Sequence, residues 1–350
     1  MTARCVCSSG RTDERVPVPS ASWSLRQWQR FSERLIERCN RAATDDEARR
    51  IIADAAWRVL RRYSTSFFIV TRFLPRAKRR DVETIYAAVR YPDEVVDTFP
   101  LQDGDKRRVL RRWRGDYDRA IACASLVESV RAGCHPIVAG FADVVRRNGI
   151  PAEHYHAFLD AMEFDIAPMP FETFDDLIEG YVYGSAIVVG YFLTYVYGTA
   201  PGRSITEALQ SARSLGIALQ LTNFLRDFRE DHHRRRCYVP QQLLREAGVA
   251  YDEFLAGTDR RATDYVIGRY AQIAWDYYRD AQKHLDAFDP SCVPAISACI
   301  AVYGELTTML EHQRDPQRRA SVPWRRKFAC LPPSKYWVVP LSLITPEYGK

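Results

Sequence analysis

Apolar residues recur at the three- and four-residue spacing of amphipathic helices over most of the chain. The pattern predicts helices over 22–40, 44–68, 79–99, 103–123, 126–147, 151–165, 252–288 and 290–313, and another within 215–240. No segment shows the sustained alternation and hairpin turns of a β-sheet. We therefore predict an all-α fold, a helical bundle around a central cavity, in a single domain over residues 22–345. Residues 1–21 lack the apolar run of a secretory signal and mix acids, arginines and prolines, so we expect a disordered tail.

A ladder of polar side chains follows one face of the helix within 215–240. Gln220, Asn223, Asp227 and Asp231 are separated by three, four and four residues, which stacks them on one helical face. Carboxylates one turn apart repel each other, and a divalent cation such as Mg²⁺, which prefers oxygen ligands, removes that repulsion. The alternative is a solvated acidic face that neighbouring arginines neutralise.

A second ladder lies about 130 residues earlier. Tyr86, Arg90, Asp93 and Asp97 are separated by four, three and four residues. If the two faces oppose each other, they could hold several Mg²⁺ ions and a diphosphate between them.

The two residues beside Asp93, Pro92 and Glu94, help to predict the direction in which the acidic side chains of this helix point. Pro92 removes a backbone hydrogen bond, and we expect it to kink the helix and aim Asp93 and Asp97 into a cavity. Glu94 lies about 100° round the helix from Asp93, so we expect it behind the ligands or facing solvent.

These motifs resemble those of a known family. The stretch LGIALQLTNFLRDFREDHHRRRCYVP, residues 215–240, resembles the second signature of the squalene/phytoene synthases, which join two prenyl diphosphates head to head. DEVVD, residues 93–97, resembles the first aspartate-rich motif of that family. The resemblance covers about residues 63–327 and implies the isoprenoid-synthase fold.

The resemblance also implies a reaction. It points to condensation of two geranylgeranyl diphosphates to phytoene through a cyclopropylcarbinyl diphosphate, as in a bacterial phytoene synthase. The alternatives are a squalene, dehydrosqualene or presqualene diphosphate synthase that uses two farnesyl diphosphates, with NADPH needed only if the product is squalene. A non-catalytic scaffold relative is the alternative from another class.

The family's functional residues map onto positions of this sequence. The resemblance implies that Mg²⁺, or Mn²⁺, is held by Asp93, Asp97, Asn223, Asp227 and Asp231. It implies catalytic roles for Tyr86, Arg90, Asp93, Asp97, Asp227 and Asp231. It implies substrate contacts from Ser64, Ser66, Phe67, Arg90, Tyr183, Gln220, Asn223, Arg226 and Tyr303. Phe67, Phe68 and Tyr183 are the candidate aromatic residues that would line the cavity.

The sequence departs from the family pattern at several positions. Thr65 stands where the family usually has Lys or Arg between two serines, so we expect Arg90, Arg226 or Arg72 to supply the missing cation. In the long apolar segment, larger residues replace small ones at Val182 and Ile187. Ile187 and Tyr191 either reshape the channel for the prenyl tail or pack in the core. Ser64 and Ser66 either bind diphosphate or cap a helix.

The charge and the cysteine content indicate which binding partners and which cellular compartment suit this protein. The net charge of +6 suits anionic ligands, a membrane surface or nucleic acid equally, but the basic runs are scattered and no nucleic-acid signature is present. The nine cysteines include no CxxC pair, which indicates reduced thiols in a cytoplasmic protein.

Two apolar segments bear on membrane contact. Residues 181–202 carry no charge and are long enough to span a bilayer, but their glycines and mid-chain position favour a buried core helix. The segment WVVPLSLI near the end of the chain is too short and too proline-broken to span a membrane. We expect no transmembrane segment and peripheral contact with the inner face of a membrane at product release.

Overall fold

The computed structural model describes residues 22–338, and in that range the chain folds into helices. Extended backbone pairs there only at an isolated antiparallel bridge between Thr199 and Phe288. The all-α prediction is confirmed. The predictions for residues 1–21 and for the end of the domain at 345 lie outside the described residues.

The part of the chain before residue 165 forms eight α-helices. They are α1 (Leu25–Asn40), α2 (Asp45–Tyr63), α3 (Thr65–Thr71), α4 (Arg76–Asp97), α5 (Asp103–Ala122), α6 (Leu126–Arg131), α7 (Pro136–Asn148) and α8 (Glu153–Phe164).

The later part begins with α9 (Phe174–Leu177), which leads into a π-helix (Ile178–Ile187). The remaining helices are α10 (Val188–Tyr197), α11 (Ile205–His233), α12 (Gln241–Ala247), α13 (Tyr251–Ala256), α14 (Arg260–Gln282), a 3₁₀ turn (Leu285–Ala287), α15 (Val293–Gln313) and α16 (Trp324–Cys330).

Three helices predicted as continuous are divided. The segment 44–68 forms α2 and α3, because Ser64 has extended backbone angles, φ −143° and ψ 95°, and its hydroxyl caps α3. The segment 126–147 forms α6 and α7, because Gly133 adopts a φ of 79° and Pro136 occupies the first turn of α7. The segment 252–288 forms α13 and α14, because Gly257 adopts a φ of 65°. Glycine and proline at these positions end one helix and start the next.

The two ladder helices lie in the centre of the bundle. The 29-residue helix α11 packs against α14, α10, the π-helix and α15, while α4 packs against α2, α7, α10 and α8. The capping box of Ser204 and Glu207 starts α11, since the Ser204 amide donates to Glu207 Oε2 at 2.9 Å. Pro92 does not end α4, which continues to Asp97.

Two glycines let the π-helix approach its neighbours. A Cβ on Gly184 would lie 2.4 Å from the carbonyl oxygen of Ala157 on α8. A Cβ on Gly216 of α11 would lie 3.1 Å from Cα of Ile187. A side chain would overlap the α8 backbone at Gly184 and crowd the π-helix at Gly216, so glycine lets α8, the π-helix and α11 pack closely.

Two helical stretches have the length and apolarity of a membrane span, Phe174–Tyr197 and Val293–Gln313. Half of the most apolar window in each is buried inside the fold. Side chains of both stretches, among them Val189 and Ile296, line an internal cavity. The segment 181–202, predicted as one buried core helix, begins within the π-helix and continues as α10 to Tyr197.

Candidate active site

Both polar ladders line one cavity of about 620 Å³. Its wall includes seven arginines against six carboxylates, all within the described residues. The predicted residues in this wall are Arg90, Asp93, Asp97, Gln220, Asn223, Arg226, Asp227 and Asp231. The fold therefore brings together, from two helices, the side chains that the spacing placed on two separate faces.

On α4 one arginine holds two acids. Arg90 donates to Asp93 Oδ2 at 2.6 Å and also pairs with Glu94. Its guanidinium lies 4.6 Å from the ring centroid of Tyr63. The side chain of Glu94 is fully buried, so of the two positions expected for it Glu94 takes the one behind the ligands, and solvent exposure is wrong. Burial raises the pKa of Glu94 to about 7.

The ends of the two ladder helices are joined by arginines that follow α11. Arg235 adopts a φ of 60°, which turns the chain back toward α4. Arg236 then donates to Asp97 Oδ1 at 2.7 Å. Arg234 lies 3.8 Å from Asp97 and 3.7 Å from Asp231, so one guanidinium bridges the two acidic motifs.

On α11, Asp227 accepts hydrogen bonds from two arginines. Arg226 Nε donates to its Oδ1 at 2.8 Å, and Arg319 Nε donates to the same oxygen at 2.9 Å. One turn earlier, Asn223 Oδ1 is buried and finds no partner among residues 22–338. This unpaired acceptor beside the acids is suited to a cation.

The four aspartates divide into two pairs by pKa. Burial opposes ionisation of all four, but Arg236 and Arg234 outweigh it at Asp97, and Arg226 and Arg319 outweigh it at Asp227, so both pKa values are lowered. At Asp93 and Asp231 burial dominates, and the neighbouring aspartate adds to it, so both pKa values are raised. In each ladder, arginines therefore keep one carboxylate ionised, while the other has too little positive charge nearby to offset the cost of its burial.

A buried network supports the acid end of α4, and the sequence-based site omitted it. Asp165 accepts from Tyr181 at 2.7 Å and from Tyr238, and it lies 3.7 Å from Arg236 Nε. Burial raises the pKa of Asp165 to about 6. Arg236 and Tyr238 lie within residues 215–240, which resemble the second family signature, and that signal could have found them.

A second cavity, of about 610 Å³, extends from the acidic cavity into the bundle. The two share several polar residues, namely Arg90, Asp93, Gln220, Asn223 and Arg226. The deeper wall is apolar and includes Phe67, Val70, Tyr86, Val89, Phe158, Met162, Ala186, Val189, Leu193, Tyr197, Leu215, Leu219, Phe288, Ile296 and Tyr303. We name this cavity the apolar channel; its mouth is charged and its interior is hydrocarbon-like.

Comparison with known proteins identifies the family. The squalene/phytoene synthase family model matches residues 60–326. The chain belongs to the squalene/phytoene synthase family. It is 29% identical over 259 residues to the phytoene synthase of Pseudescherichia vulneris, covering 73% of this chain and 81% of that protein. It is 27% identical over 289 residues to the 15-cis-phytoene synthase of Synechococcus elongatus, covering 77% of this chain and 88% of that protein.

Solved structures share the fold. A dehydrosqualene synthase with bound ligand superposes with a TM-score of 0.69 at 20% identity, over 85% of this chain and 100% of that one. A squalene synthase from Alicyclobacillus acidocaldarius gives a TM-score of 0.64 at 20% identity, over 76% of this chain and 95% of that one. The isoprenoid-synthase fold is therefore confirmed.

Residues of the long apolar segment at which this chain differs from the family pattern lie away from the channel. Ile187 and Val182 are fully buried and absent from the channel wall. Tyr191 is also absent from that wall, and its ring packs 5.3 Å from that of His154. Core packing, the alternative for Ile187, is what the structure shows. The wide turns of the π-helix instead turn Ser185 and Ala186 toward the channel.

The predicted aromatic lining is right for one of three residues. Phe67 lines the channel, with its ring 5.8 Å from that of Tyr86. Phe68 is buried elsewhere, with Arg72 stacked 4.3 Å from its ring. Tyr183 does not line either cavity, so its predicted substrate contact has no support in the geometry.

The serines flanking Thr65 have different surroundings. Ser64 lines the channel and also caps α3, accepting from the Phe67 amide at 3.2 Å. Ser66 lines a third cavity, of about 430 Å³, which we name the side cavity; it lies beside the helix α16.

Three cations lie near Ser66, whereas Thr65 itself carries no charge. Arg72 is not among them, because its side chain is fully buried against Glu83. Lys327, Arg319 and Arg226 line the side cavity next to Ser66. Arg226, one of the three arginines expected there, lines this cavity, and Lys327 is a further cation that the expectation did not include.

Proposed function

We propose that the protein condenses two geranylgeranyl diphosphates head to head to phytoene, in two steps that release two diphosphates and two protons. The observation that carries the proposal is the junction of an arginine-rich acidic cavity with an apolar channel. Relatives named phytoene synthase support the choice of product.

The residues of the acidic cavity suit one or more divalent cations. Among residues 22–338 no three acidic, histidine or cysteine side chains converge on one point, but the unpaired Asn223 Oδ1 and the under-compensated Asp93 and Asp231 are oxygen donors in need of positive charge. Asp93, Asp97, Asn223, Asp227 and Asp231 would hold Mg²⁺ or Mn²⁺. A bound divalent cation would stabilise the negative charge of the leaving diphosphate.

Arginines and lysine would hold the diphosphates. The buried Nε donors of Arg90 and Arg234 have no acceptor within the described range, and Arg226 and Arg319 line both the acidic cavity and the side cavity. A phosphate oxygen would complete their hydrogen bonds. With Lys327 and Gln220, they would orient the first substrate so that its allylic carbon enters the channel.

The channel would protect the carbocation. When the first carbon–oxygen bond breaks, the allylic cation must meet the double bond of the second substrate before it meets water, and the apolar wall excludes water. The rings of Phe67, Tyr86 and Tyr303 would face the positive charge. Loss of a proton closes the cyclopropane; the second ionisation, rearrangement and proton loss give phytoene.

The experiment is product analysis with the purified full chain and Mg²⁺. We expect a C40 hydrocarbon from the C20 diphosphate alone. A C30 product from the C15 diphosphate would instead indicate a dehydrosqualene synthase, or a squalene synthase if NADPH is required. No product from a folded protein with either substrate would favour the scaffold alternative.

Matched variants test the acidic ladder. Asp231→Asn should lower kcat by about 100-fold or more, because electrostatic stabilisation of the leaving group is lost. Asp276→Asn, at an exposed aspartate of α14, is the control and should retain activity. Equal activity of the two variants would contradict the proposed metal site.

The release of a hydrocarbon product suits a cytoplasmic protein in peripheral contact with a membrane, because neither phytoene nor the prenyl tails dissolve in water. We propose that prenyl diphosphates are its substrates and that it acts at the inner face of a membrane.

A further inference from the structure

Large hydrophobic side chains are exposed together in one short segment after α15. Trp324 is 52% exposed, Tyr336 is 68% exposed and Trp337 is 58% exposed. Elsewhere in residues 22–338, exposed large hydrophobic residues occur singly on other elements, at Ile36, Met169 and Tyr265. Scattered exposure needs no explanation, but a cluster indicates a contact surface.

The cluster has a defined structure. The ring of Phe328 lies 6.2 Å from that of Trp324 and 5.7 Å from that of Tyr336. Lys335 Nζ lies 5.1 Å from the Phe328 centroid and donates to the Ala329 carbonyl at 3.1 Å. These contacts fold residues 333–338 against α16, so Trp324 and Tyr336 flank the same Phe328 ring, and the exposed Trp337 follows Tyr336 directly.

The exposed basic residues beside this cluster are Arg325 and Arg326, since Arg318, Arg319 and Lys327 line the cavities and Lys335 is buried. Residues 316–346 contain six Lys and Arg residues and no Asp or Glu. Arg325 and Arg326 follow Trp324 directly and are exposed. The sequence beyond the described residues continues with apolar side chains at Val339, Leu341 and Leu343. We name Trp324, Arg325, Arg326, Tyr336 and Trp337 the aromatic-basic face.

We propose that the aromatic-basic face docks on an anionic lipid bilayer. Trp and Tyr favour the membrane–water interface because one part of the ring system is apolar and another donates hydrogen bonds. Arg side chains add attraction to anionic headgroups that falls with salt. The exposed Arg325 and Arg326, in a stretch of 31 residues without an acid, favour an anionic partner, and the interfacial preference of Trp and Tyr favours a bilayer over an acidic protein.

The face also lies next to the route to the active site. Lys327, on the same helix α16, lines the side cavity together with Ser66 and Tyr303. Docking would therefore hold the side cavity beside the lipid in which prenyl tails and a hydrocarbon product dissolve. This benefit rests on the proposed function, whereas the docking itself does not.

The test is co-sedimentation of the full-length protein with vesicles, without substrate. Vesicles of equal parts phosphatidylglycerol and phosphatidylcholine should bind the protein, and phosphatidylcholine vesicles should bind it at least several-fold more weakly. High salt should reduce binding to the anionic vesicles. Equal binding to both compositions, or binding to neither, would overturn the proposal.

Paired variants locate the surface. Trp324→Ser with Trp337→Ser should lower binding about 10-fold or more, and Arg325→Gln with Arg326→Gln should lower it several-fold. The controls are Tyr265→Ser and the pair Arg269→Gln with Arg279→Gln, at exposed positions of α14. These variants should bind the vesicles as the unaltered protein does.

A deletion tests whether the end of the chain binds instead. If deletion of residues 339–350 abolished binding while the face variants retained it, the proposal would be wrong. Product formation in detergent reports on the proposed function separately.

Discussion

Arg236, three residues beyond the end of α11, donates a hydrogen bond of 2.7 Å to Asp97, the last residue of α4. The two residues are 139 positions apart in the chain. The side chain of Arg236 is only 5% exposed, and its Nε lies 3.7 Å from Asp165 Oδ1. This contact fixes how far one acidic motif lies from the other, because it joins the ends of both helices.

Replacing Arg236 should impair catalysis through Asp97. Arg236→Gln removes the strongest attraction that lowers the pKa of Asp97, so that pKa should rise. The acid limb of the kcat/KM profile should move to higher pH, with at least a 10-fold loss of activity near neutral pH. Arg235→Gln is the control, since Arg235 is exposed. An unmoved acid limb in Arg236→Gln would disprove the link.

Lys327 should contribute to substrate binding. Lys327→Gln removes a cation beside Ser66, where Thr65 supplies none. Charged hydrogen bonds are worth about 1.5–3 kcal/mol, so KM for the C20 diphosphate should rise roughly 10-fold or more. The matched control is Lys283→Gln, at an exposed lysine of α14's C-terminal cap. An unchanged KM in Lys327→Gln would contradict the proposed role of Lys327 in substrate binding.

Substitution of Ala186, but not of Ile187, should change which prenyl diphosphate the channel accepts. Ala186→Phe places a ring in the channel wall, so the C20 substrate should be used less well than the C15 substrate. Ile187→Ala should instead lower the free energy of unfolding by roughly 2–5 kcal/mol, because Ile187 is fully buried. Competition between C15 and C20 diphosphates measures the first effect, and chemical denaturation measures the second. A changed chain-length preference in Ile187→Ala would contradict the assignment of Ile187 to the core.

Gly184 should be intolerant of a methyl group. In Gly184→Ala the new Cβ would lie 2.4 Å from the Ala157 carbonyl oxygen, and relief of that overlap should cost roughly 1–3 kcal/mol of stability. Gly268→Ala on α14 is the control, because its Cβ meets no atom within 4 Å. That variant should be more stable by about 0.5–1 kcal/mol. Denaturation midpoints of the two variants should therefore move in opposite directions.

His135 should make the fold sensitive to acid. Its Nδ1 accepts from the Ile137 amide at 3.2 Å and caps α7, and burial lowers its pKa from 6.5 to about 4. A lowered histidine pKa means that the unfolded chain binds the proton more readily, so stability is lost as pH falls from about 6.5 to about 4. The loss should reach at most about 3 kcal/mol.

Denaturation across that pH range tests the assignment. His135→Asn keeps an acceptor for the cap and removes the titration, so its stability should depend less on pH. His312→Asn, at an exposed histidine, is the matched control. If His135→Asn lost stability in acid as steeply as the unaltered protein, another group would be responsible.

Local patterns predicted the site only in part. The ladders on α4 and α11 were visible in the sequence because helical spacing alone decides which side chains share a face. For Glu94 the spacing left two positions open, behind the ligands or facing solvent, because its burial depends on Arg90 and on packing around α4, which spacing does not describe. Tyr183 was misplaced because the segment is a π-helix, whose residues do not keep the angular spacing of an α-helix.

The sequence by itself determined the helical class, the two acidic ladders and the family, since these follow from spacing along single segments. The tertiary structure decided which cation pairs with each acid and which wall the prenyl tail would meet. Arg319 reaches Asp227 from 92 residues away, and Arg236 reaches Asp97 from 139. Such contacts depend on how separate helices pack, because each helix alone offers several faces and packing selects the one that is buried.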